Sequence, residues 1–306
     1  MIFPNLSKGK RSKRIADCKD DPIINKPKAR AVMANRIYQA RKYNKGIPEA
    51  TDEPLTVEEA LQIDINGTPF TVSMRTPGHD VELVTGMLYC EGVLEDKTFL
   101  PEIELEEAKG AIVQKANVTV PPDELGDGYV SSRSLLSVSS CGICGKTELS
   151  DLQVCGDPLG SGLQVDIPAL SGLFDKMNRY QFDFNSSGAT HAAAAFTADG
   201  ELLCVKEDIG RHNAVDKVIG WLLLNNRLGE AQILTVSGRV SYEIVVKCFK
   251  GKMPVLAAVS APSSLAVDFA KELGITLFGF CRDQRATCYS HAHRIMEPNT
   301  EKINRH

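Results

Sequence analysis

From Glu53 onward the chain alternates short apolar runs with stretches of helical periodicity. Leu55 to Val57, Leu61 to Ile65 and Phe70 to Met74 read as strands, and Asn66-Gly67 between the last two is a two-residue hairpin turn. Thr76-Pro77-Gly78-His79-Asp80 predicts a turn and a helix start, after which Val81, Leu83, Val84, Met87 and Leu88 recur at helical spacing as far as Glu91-Gly92. Residues 95–128 read as further strand and loop, with Ile112 to Val120 alternating until Pro121-Pro122 ends the run. Further on, Leu202 to Val205 predicts a strand and Asn213 to Leu224 a helix. Ile233 to Val236 is a buried strand leading through Ser237-Gly238-Arg239 to a helix over Tyr242 to Phe249. Val255 to Val259, the helix Ser264 to Leu273 and Thr276 to Phe280 form a β-α-β unit of parallel-sheet type. The whole predicts an α/β fold with a strand-rich N-terminal portion over 49–130 and an α/β portion over 171–300.

Charge divides the chain differently. Residues 1–48 carry 13 Lys/Arg against 3 Asp, whereas the rest carries 22 basic and 36 acidic side chains. The first stretch has too little apolar surface to offset the entropy of ordering it, so 1–48 reads as a flexible basic extension, with one short helix over 29–43. Such an extension is a solvated tail, an electrostatic attractor for an acidic partner or nucleic acid, or a targeting segment. Residues 49–306 are the folded remainder. Nine irregularly spaced cysteines in a 306-residue chain without an export signal point to a reducing cytoplasm, and no window reaches the roughly 20 apolar residues that span a bilayer.

Ligands of open α/β sheets sit beyond the carboxyl ends of strands. Three segments there combine glycine or hydroxyl residues with a following helix: Gly210-Arg211-His212-Asn213, Ser237-Gly238-Arg239 and Ala261-Pro262-Ser263-Ser264. Backbone N–H groups beside guanidinium and imidazole suit a polyanion. A fourth, Phe280-Cys281-Arg282-Asp283-Gln284-Arg285, ends the last strand with an aromatic and two arginines, the set that stacks on a base and holds its phosphates. His191, in Ser187-Gly188-Ala189-Thr190-His191, is a candidate acid, base or hydrogen-bond donor, as is His79; Glu207-Asp208 are placed to tune His212 if they reach it.

Six of the ten residues from Ser131 to Ser140 are serine, and Cys141-Gly142-Ile143-Cys144-Gly145 follows. A mobile, solvated loop carrying two thiols is expected over 131–150. The pair suits zinc, with Cys288, His291 and His293 as further ligands, or dithiol redox chemistry, or sulfur carriage. The ribbon-type second Cys-x-x-Cys that zinc favours is missing, and so is the His-x-Glu of the zinc deaminases. A free thiol is only about 3% thiolate at pH 7, so any of these roles needs surroundings that favour the anion. An arm with an exposed thiol on a polyanion-binding body fits a carrier that accepts a sulfur atom and delivers it to the ligand.

Cys141-Gly-Ile-Cys-Gly145, the run Lys206-Glu-Asp-Ile-Gly-Arg-His-Asn-Ala-Val-Asp-Lys217, Ser237-Gly-Arg-Val-Ser-Tyr-Glu243 and Gly279-Phe-Cys-Arg282 together resemble the formate dehydrogenase accessory sulfurtransferase family, FdhD, over about residues 50–295. The resemblance implies a homodimeric protein of cytidine deaminase-like layered topology. It would take sulfur from a cysteine desulfurase and pass it to the molybdenum cofactor, Mo-bis(molybdopterin guanine dinucleotide), before insertion into formate dehydrogenase. In that scheme Cys141 carries the persulfide with Cys144 as its partner, and Phe280, Cys281, Arg282, Asp283, Gln284 and Arg285 bind the cofactor. His191, Gly210, Arg211, His212, Ser237, Gly238 and Arg239 join that site on the strand-end argument. No resident metal, membrane or nucleic acid is expected; the alternative is a noncatalytic cofactor-binding chaperone with a structural or zinc-binding Cys-x-x-Cys. Ala189 departs from the family's Thr-Gly-Gly-type pattern ahead of His191, and the long basic N-terminus falls outside the resemblance.

Overall fold

The structure, a computed structural model, describes residues 34–94, 99–107, 112–132 and 156–296. Its first element corrects the helix expected over 29–43. From Asn35 the described part of that stretch is a strand, β1 (Asn35–Asn44), paired antiparallel with β2 (Ile47–Thr56) around a turn at Lys45 and Gly46, both with positive φ. The boundary drawn at residue 48 therefore falls inside a hairpin, and at least 34–48 is part of ordered structure. Ala, Arg, Lys and Gln favour helices as isolated residues, but here the pairing with β2 decides.

Next comes a four-stranded sheet in the order β4-β3-β6-β5, built from β3 (Glu59–Ile65), β4 (Thr68–Arg75), β5 (Glu102–Glu107) and β6 (Val113–Thr119). Asn66 and Gly67 turn between β3 and β4 at φ 50° and 75°, the left-handed pair that a tight hairpin requires. The inward faces of β3 and β6, including Leu61, Ile63, Ile65, Ala116 and Val118, pack on Leu83, Val84 and Leu88 of α1 (Asp80–Cys90). A short helix, α2 (Asp127–Ser132), closes this unit.

The second sheet has six strands in the order β12-β11-β10-β9-β7-β8: β7 (His191–Phe196), β8 (Leu202–Asp208), β9 (Ile233–Val236), β10 (Val255–Ala258), β11 (Thr276–Arg282) and β12 (Arg285–Cys288). Strands β9, β10 and β11 are mutually parallel; β7 runs antiparallel to both β8 and β9. Their short, continuously apolar sequences reflect burial on both faces. Ala193, Ala195, Leu234, Val236, Leu256 and Ala258 join a core with α5 (Arg211–Leu224), α6 (Tyr242–Lys250) and α7 (Ser264–Glu272). Ala192, Ala194, Phe196, Ile233, Val255 and Ala257 join another with α3 (Ile167–Asn178). The expected α/β layering is present, and α4 (Phe182–Ser187) leads from α3 into β7. No helix among the described residues is long and apolar enough to cross a membrane.

The two sheets are joined where α1 crosses α5. A Cβ on Gly86 would overlap the carbonyl oxygen of Asp216, and one on Gly220 would overlap that of Glu82. Each glycine thus exists to let the opposing backbone approach. Gly86→Ala and Gly220→Ala should each cost about 3 kcal/mol or more, because backbone cannot yield as a side-chain tip can. Urea unfolding checks this, with Gly172→Ala in α3, where an added Cβ meets nothing within 4 Å, expected to be neutral or slightly stabilising.

Candidate functional site

Strands β8, β9, β10 and β11 all finish at one edge of the six-stranded sheet, where antiparallel β7 begins. His191, Gly210-Arg211, Ser237-Gly238-Arg239, the Ser260 to Ser263 loop and Phe280 thereby share one rim. Hydrogen bonds stitch it together. Ala192 N–H donates to Ser237 Oγ at 2.9 Å and Ser237 N–H to the Ala192 carbonyl at 2.9 Å. Val240 N–H reaches the Ala261 carbonyl at 3.1 Å, Ser263 N–H the Val240 carbonyl at 2.9 Å, and Phe280 N–H the Ser260 carbonyl at 3.3 Å.

At the β7–β8–β9 end the rim is cationic. A Cβ on Gly238 would lie 3.2 Å from His191 Nδ1 and 3.5 Å from Arg211 Cβ, so glycine lets these two residues close over the backbone. Burial, then the charges of Arg211, Arg239 and His212, lower the pKa of His191. Arg211 Nε is buried with no hydrogen-bond partner among the described residues, and Arg239 is exposed. The N-cap residues of α5 and α6 give no side-chain cap: Gly210 has none to offer, and Ser241 Oγ lies 3.0 Å from His212 Nε2 instead. Two helix starts and a guanidinium nitrogen without a partner among the described residues, beside an imidazole, form a rim whose chemistry suits an anion.

At the β11 end, the backbone is twisted. Phe280, Asp283 and Gln284 have φ of 55°, 52° and 56°, and the ladder to β12 shifts register between Gly279 and Arg282. A bulky residue in the left-handed region is uncommon and marks stored strain. The irregularity leaves the Phe280 ring 41% exposed, and Arg282, Asp283, Gln284 and Arg285 are exposed beyond it. Gln284 N–H donates to Ser171 Oγ of α3 at 3.1 Å, which pins the turn, and Arg285 Nη2 lies 3.4 Å from Asp283 Oδ2. Cys281 corrects the sequence reading: it is 2% exposed and points into the α3-side core, where burial pushes its thiol up to about 12. It braces the segment from below and presents no side chain to a ligand.

Other expectations are also redirected. His212 is buried and faces Ser241 and Glu243, whose carboxylate lies 3.7 Å away; burial opposes ionisation of Glu243, but hydrogen bonds from His212 and Ser241 hold it down to about 2. His212 therefore positions the α5 and α6 starts from behind. Glu207 and Asp208 make their hydrogen bonds elsewhere. Glu207 accepts hydrogen bonds from the N–H groups of Asp183 and Phe184 and from Thr190 Oγ1. Asp208 pairs with Lys217 at 2.7 Å and accepts from the N–H groups of Thr76 and Gly210. Asn213 donates to the Met74 carbonyl and Asp208, so it is a strut between sheets. His79 begins α1 in the left-handed region, with Nδ1 2.7 Å from Glu82 Oε1 and 3.0 Å from Lys206 Nζ. The sequence reading missed Arg75, fully buried, which donates to Asp80 and to the carbonyls of Glu59 and Val113; no spacing rule marks it.

Cys141 and Cys144 lie outside the described residues, as does nearly all of the 131–150 loop. Of the residues considered as further zinc ligands, the Cys288 thiol donates to the Ser290 carbonyl at 3.2 Å and His291 Nε2 lies 2.9 Å from the Lys271 carbonyl. Among the described residues no three His, Cys, Asp or Glu side chains are placed to hold a metal ion.

The model of the FdhD/NarQ family matches residues 56–296 of the chain. A protein named sulfur carrier protein FdhD from Mycobacterium tuberculosis is 43% identical over 253 residues, covering 79% of this chain and 92% of that protein. One of the same name from Thermoplasma acidophilum is 42% identical over 258 residues, covering 83% and 90%. Among solved structures, a protein assigned as a formate dehydrogenase accessory protein from Desulfotalea psychrophila superposes with a TM-score of 0.67 at 22% identity, covering 86% of this chain and all of that one; it shares the fold.

Since Arg211 and Arg239 help depress the pKa of His191, an anion that neutralises them should raise it. A proton NMR titration, with His191→Gln to assign the signal, should place His191 below 6.5 in the free protein and move it upward on adding inorganic pyrophosphate. A pKa unmoved at saturating pyrophosphate would mean that the anion binds elsewhere.

Proposed function

Because the chain belongs to the FdhD/NarQ family, we propose that it is a sulfur carrier for formate dehydrogenase, acting as a sulfurtransferase through Cys141 and binding the molybdenum cofactor on the rim of the six-stranded sheet. The observation that carries this reading is the anion seat at His191, Arg211, Gly238 and Arg239, with its unpaired Arg211 Nε. The seat fits Mo-bis(molybdopterin guanine dinucleotide). Its pyrophosphates match the arginines and the positive ends of α5 and α6, and a guanine matches the exposed Phe280 ring with Arg282 and Arg285 beside it.

The sulfur steps balance with two cysteines. The Cys141 thiolate attacks the terminal sulfur of a persulfide on a cysteine desulfurase, the desulfurase thiolate leaves, and Cys141 holds the sulfane sulfur as a persulfide. Once the cofactor is bound, attack by the Cys144 thiolate on the inner sulfur expels hydrosulfide and leaves a Cys141–Cys144 disulfide. The two thiols supply the electrons that reduce sulfane sulfur to the sulfide a metal takes as ligand. In this reading the protein works in the cytoplasm as a homodimer, and the cofactor is cargo that leaves with formate dehydrogenase.

Incubation with a desulfurase and cysteine should add the mass of one sulfur atom to the protein. Cys141→Ala should abolish that gain, and Cys144→Ala should keep it while losing activation of formate dehydrogenase. Full activation by the Cys141→Ala/Cys144→Ala double variant would overturn sulfur carriage and leave a cofactor chaperone. Arg211→Ala and Arg239→Ala should load sulfur normally yet bind GDP at least about tenfold more weakly, the loss expected for a charge-assisted hydrogen bond, as calorimetry would measure.

A further inference from the structure

The β1–β2 hairpin takes no part in the site above, and all but its last residue precedes the family match. It is ten residues on each side, and β1 is exposed from Arg36 to Asn44, with Ile37 66% and Tyr43 65% exposed. A lone two-stranded hairpin is marginally stable in water, and an open edge is a template for another strand.

The two edges of this hairpin differ. Asn44 and Ile47 flank a two-residue turn, so theirs is a hydrogen-bonded pair, and the alternation places Tyr43 with Pro48 and Ile37 with Pro54 in non-hydrogen-bonded pairs. The nitrogens of Pro48 and Pro54 therefore face outward, and the free edge of β2 lacks two donors. The free edge of β1, at Asn35, Ile37, Gln39, Arg41 and Tyr43, keeps every backbone donor and acceptor. No backbone hydrogen bond among the described residues occupies it.

Charge separates the strands in the same sense. β1 carries Arg36, Arg41 and Lys42 and no acid, whereas β2 carries Glu49, Asp52 and Glu53 and no base, with Lys42 and Glu53 3.7 Å apart across the pair. The strand that β1 already accepts on its inner side is thus acidic. Residues 1–33, with nine Lys/Arg and three Asp, have the wrong charge for its outer side, and a second copy would bring another basic β1 or a proline-interrupted β2.

We propose that the free edge of β1 takes up an extended acidic segment of a partner protein as a third strand of the hairpin sheet. Backbone pairing at the five outward residues supplies the attachment. Arg41, for which no acidic partner is found among the described residues, selects for acidic side chains, and the exposed Ile37 and Tyr43 lie on the same face as Arg41 to receive apolar ones.

The probe is a synthetic peptide copying residues 47–56 with Pro48→Thr and Pro54→Thr, and its control carries Glu49→Lys, Asp52→Lys and Glu53→Lys as well. The full-length protein should bind the acidic peptide at least about tenfold more tightly than the control. Hydrogen exchange should slow at the amides of Ile37, Gln39, Arg41 and Tyr43. Gln39→Pro, which removes one outward donor, and Arg41→Glu, which leaves the backbone intact, should each weaken binding at least about tenfold. Retained protection of the inward amides of Tyr38 and Ala40 shows that the hairpin persists. Equal affinity for the two peptides, or unchanged binding by both variants, would overturn the proposal. So would protection of the outward amides that grows with protein concentration in the absence of peptide, since a second copy would then fill the edge.

Discussion

The crossing of α1 over α5 holds the molecule together. Helix α1 serves two cores at once: Leu83, Val84 and Leu88 belong to the four-stranded sheet, while Cys90 reaches the core behind the six-stranded one. It can do so only because Gly86 and Gly220 bring backbone against backbone. Such proximity has a cost, since polar groups at the crossing leave water and need partners. The chain supplies them with charged groups. Asp216 on α5 pairs with Lys247 of α6 at 2.6 Å, and burial of the Asp216 carboxyl, which raises its pKa, is opposed by that ammonium.

A second buried pair, Lys217 with Asp208, fixes the rim. Lys217 has three N–H donors and Asp208 about four lone-pair sites, and all find partners. Lys217 reaches Asp208 and the carbonyls of Thr76 and Glu207; Asp208 accepts from Lys217, Asn213 and the N–H groups of Thr76 and Gly210. A fully satisfied pair recovers much of the desolvation cost, whereas loss of one partner costs roughly 3–5 kcal/mol. The loop from β4 to α1 and the loop from β8 to α5 are therefore one object. Gly210 and Arg211 stand where they do because Thr76, far off in sequence, is bonded to the same carboxylate.

This explains what was legible in the sequence. The parallel strands were, because burial on both faces makes them short unbroken apolar runs such as Ile233–Val236 and Val255–Ala258, and a strand end followed by glycine and helix marks a rim segment. Which side chains of a rim segment face outward was not. A motif names neighbours, whereas a strand alternates its faces, and so Phe280 is exposed while Cys281 is buried. Likewise Arg211 and His212 sit about 100° apart on α5, one at the rim and one behind it. The hairpin escaped for the opposite reason: with neither face of β1 buried, no hydrophobic period exists to read.

The division of labour across the rim follows from the same physics. On the proposed function, a carrier would have to hold its cargo firmly enough to act on it and then release it, so a seat made wholly of buried ion pairs would serve poorly. Here the buried Asp208–Lys217 pair and the contact of His212 with Glu243 lie one layer beneath, where they set geometry. The groups at the surface are a half-buried imidazole kept toward its neutral form, an arginine with a nitrogen that has no partner among the described residues, two helix starts and an exposed ring on a strained turn. Each would gain from the anionic, aromatic ligand proposed, and none needs that ligand for the fold to stand.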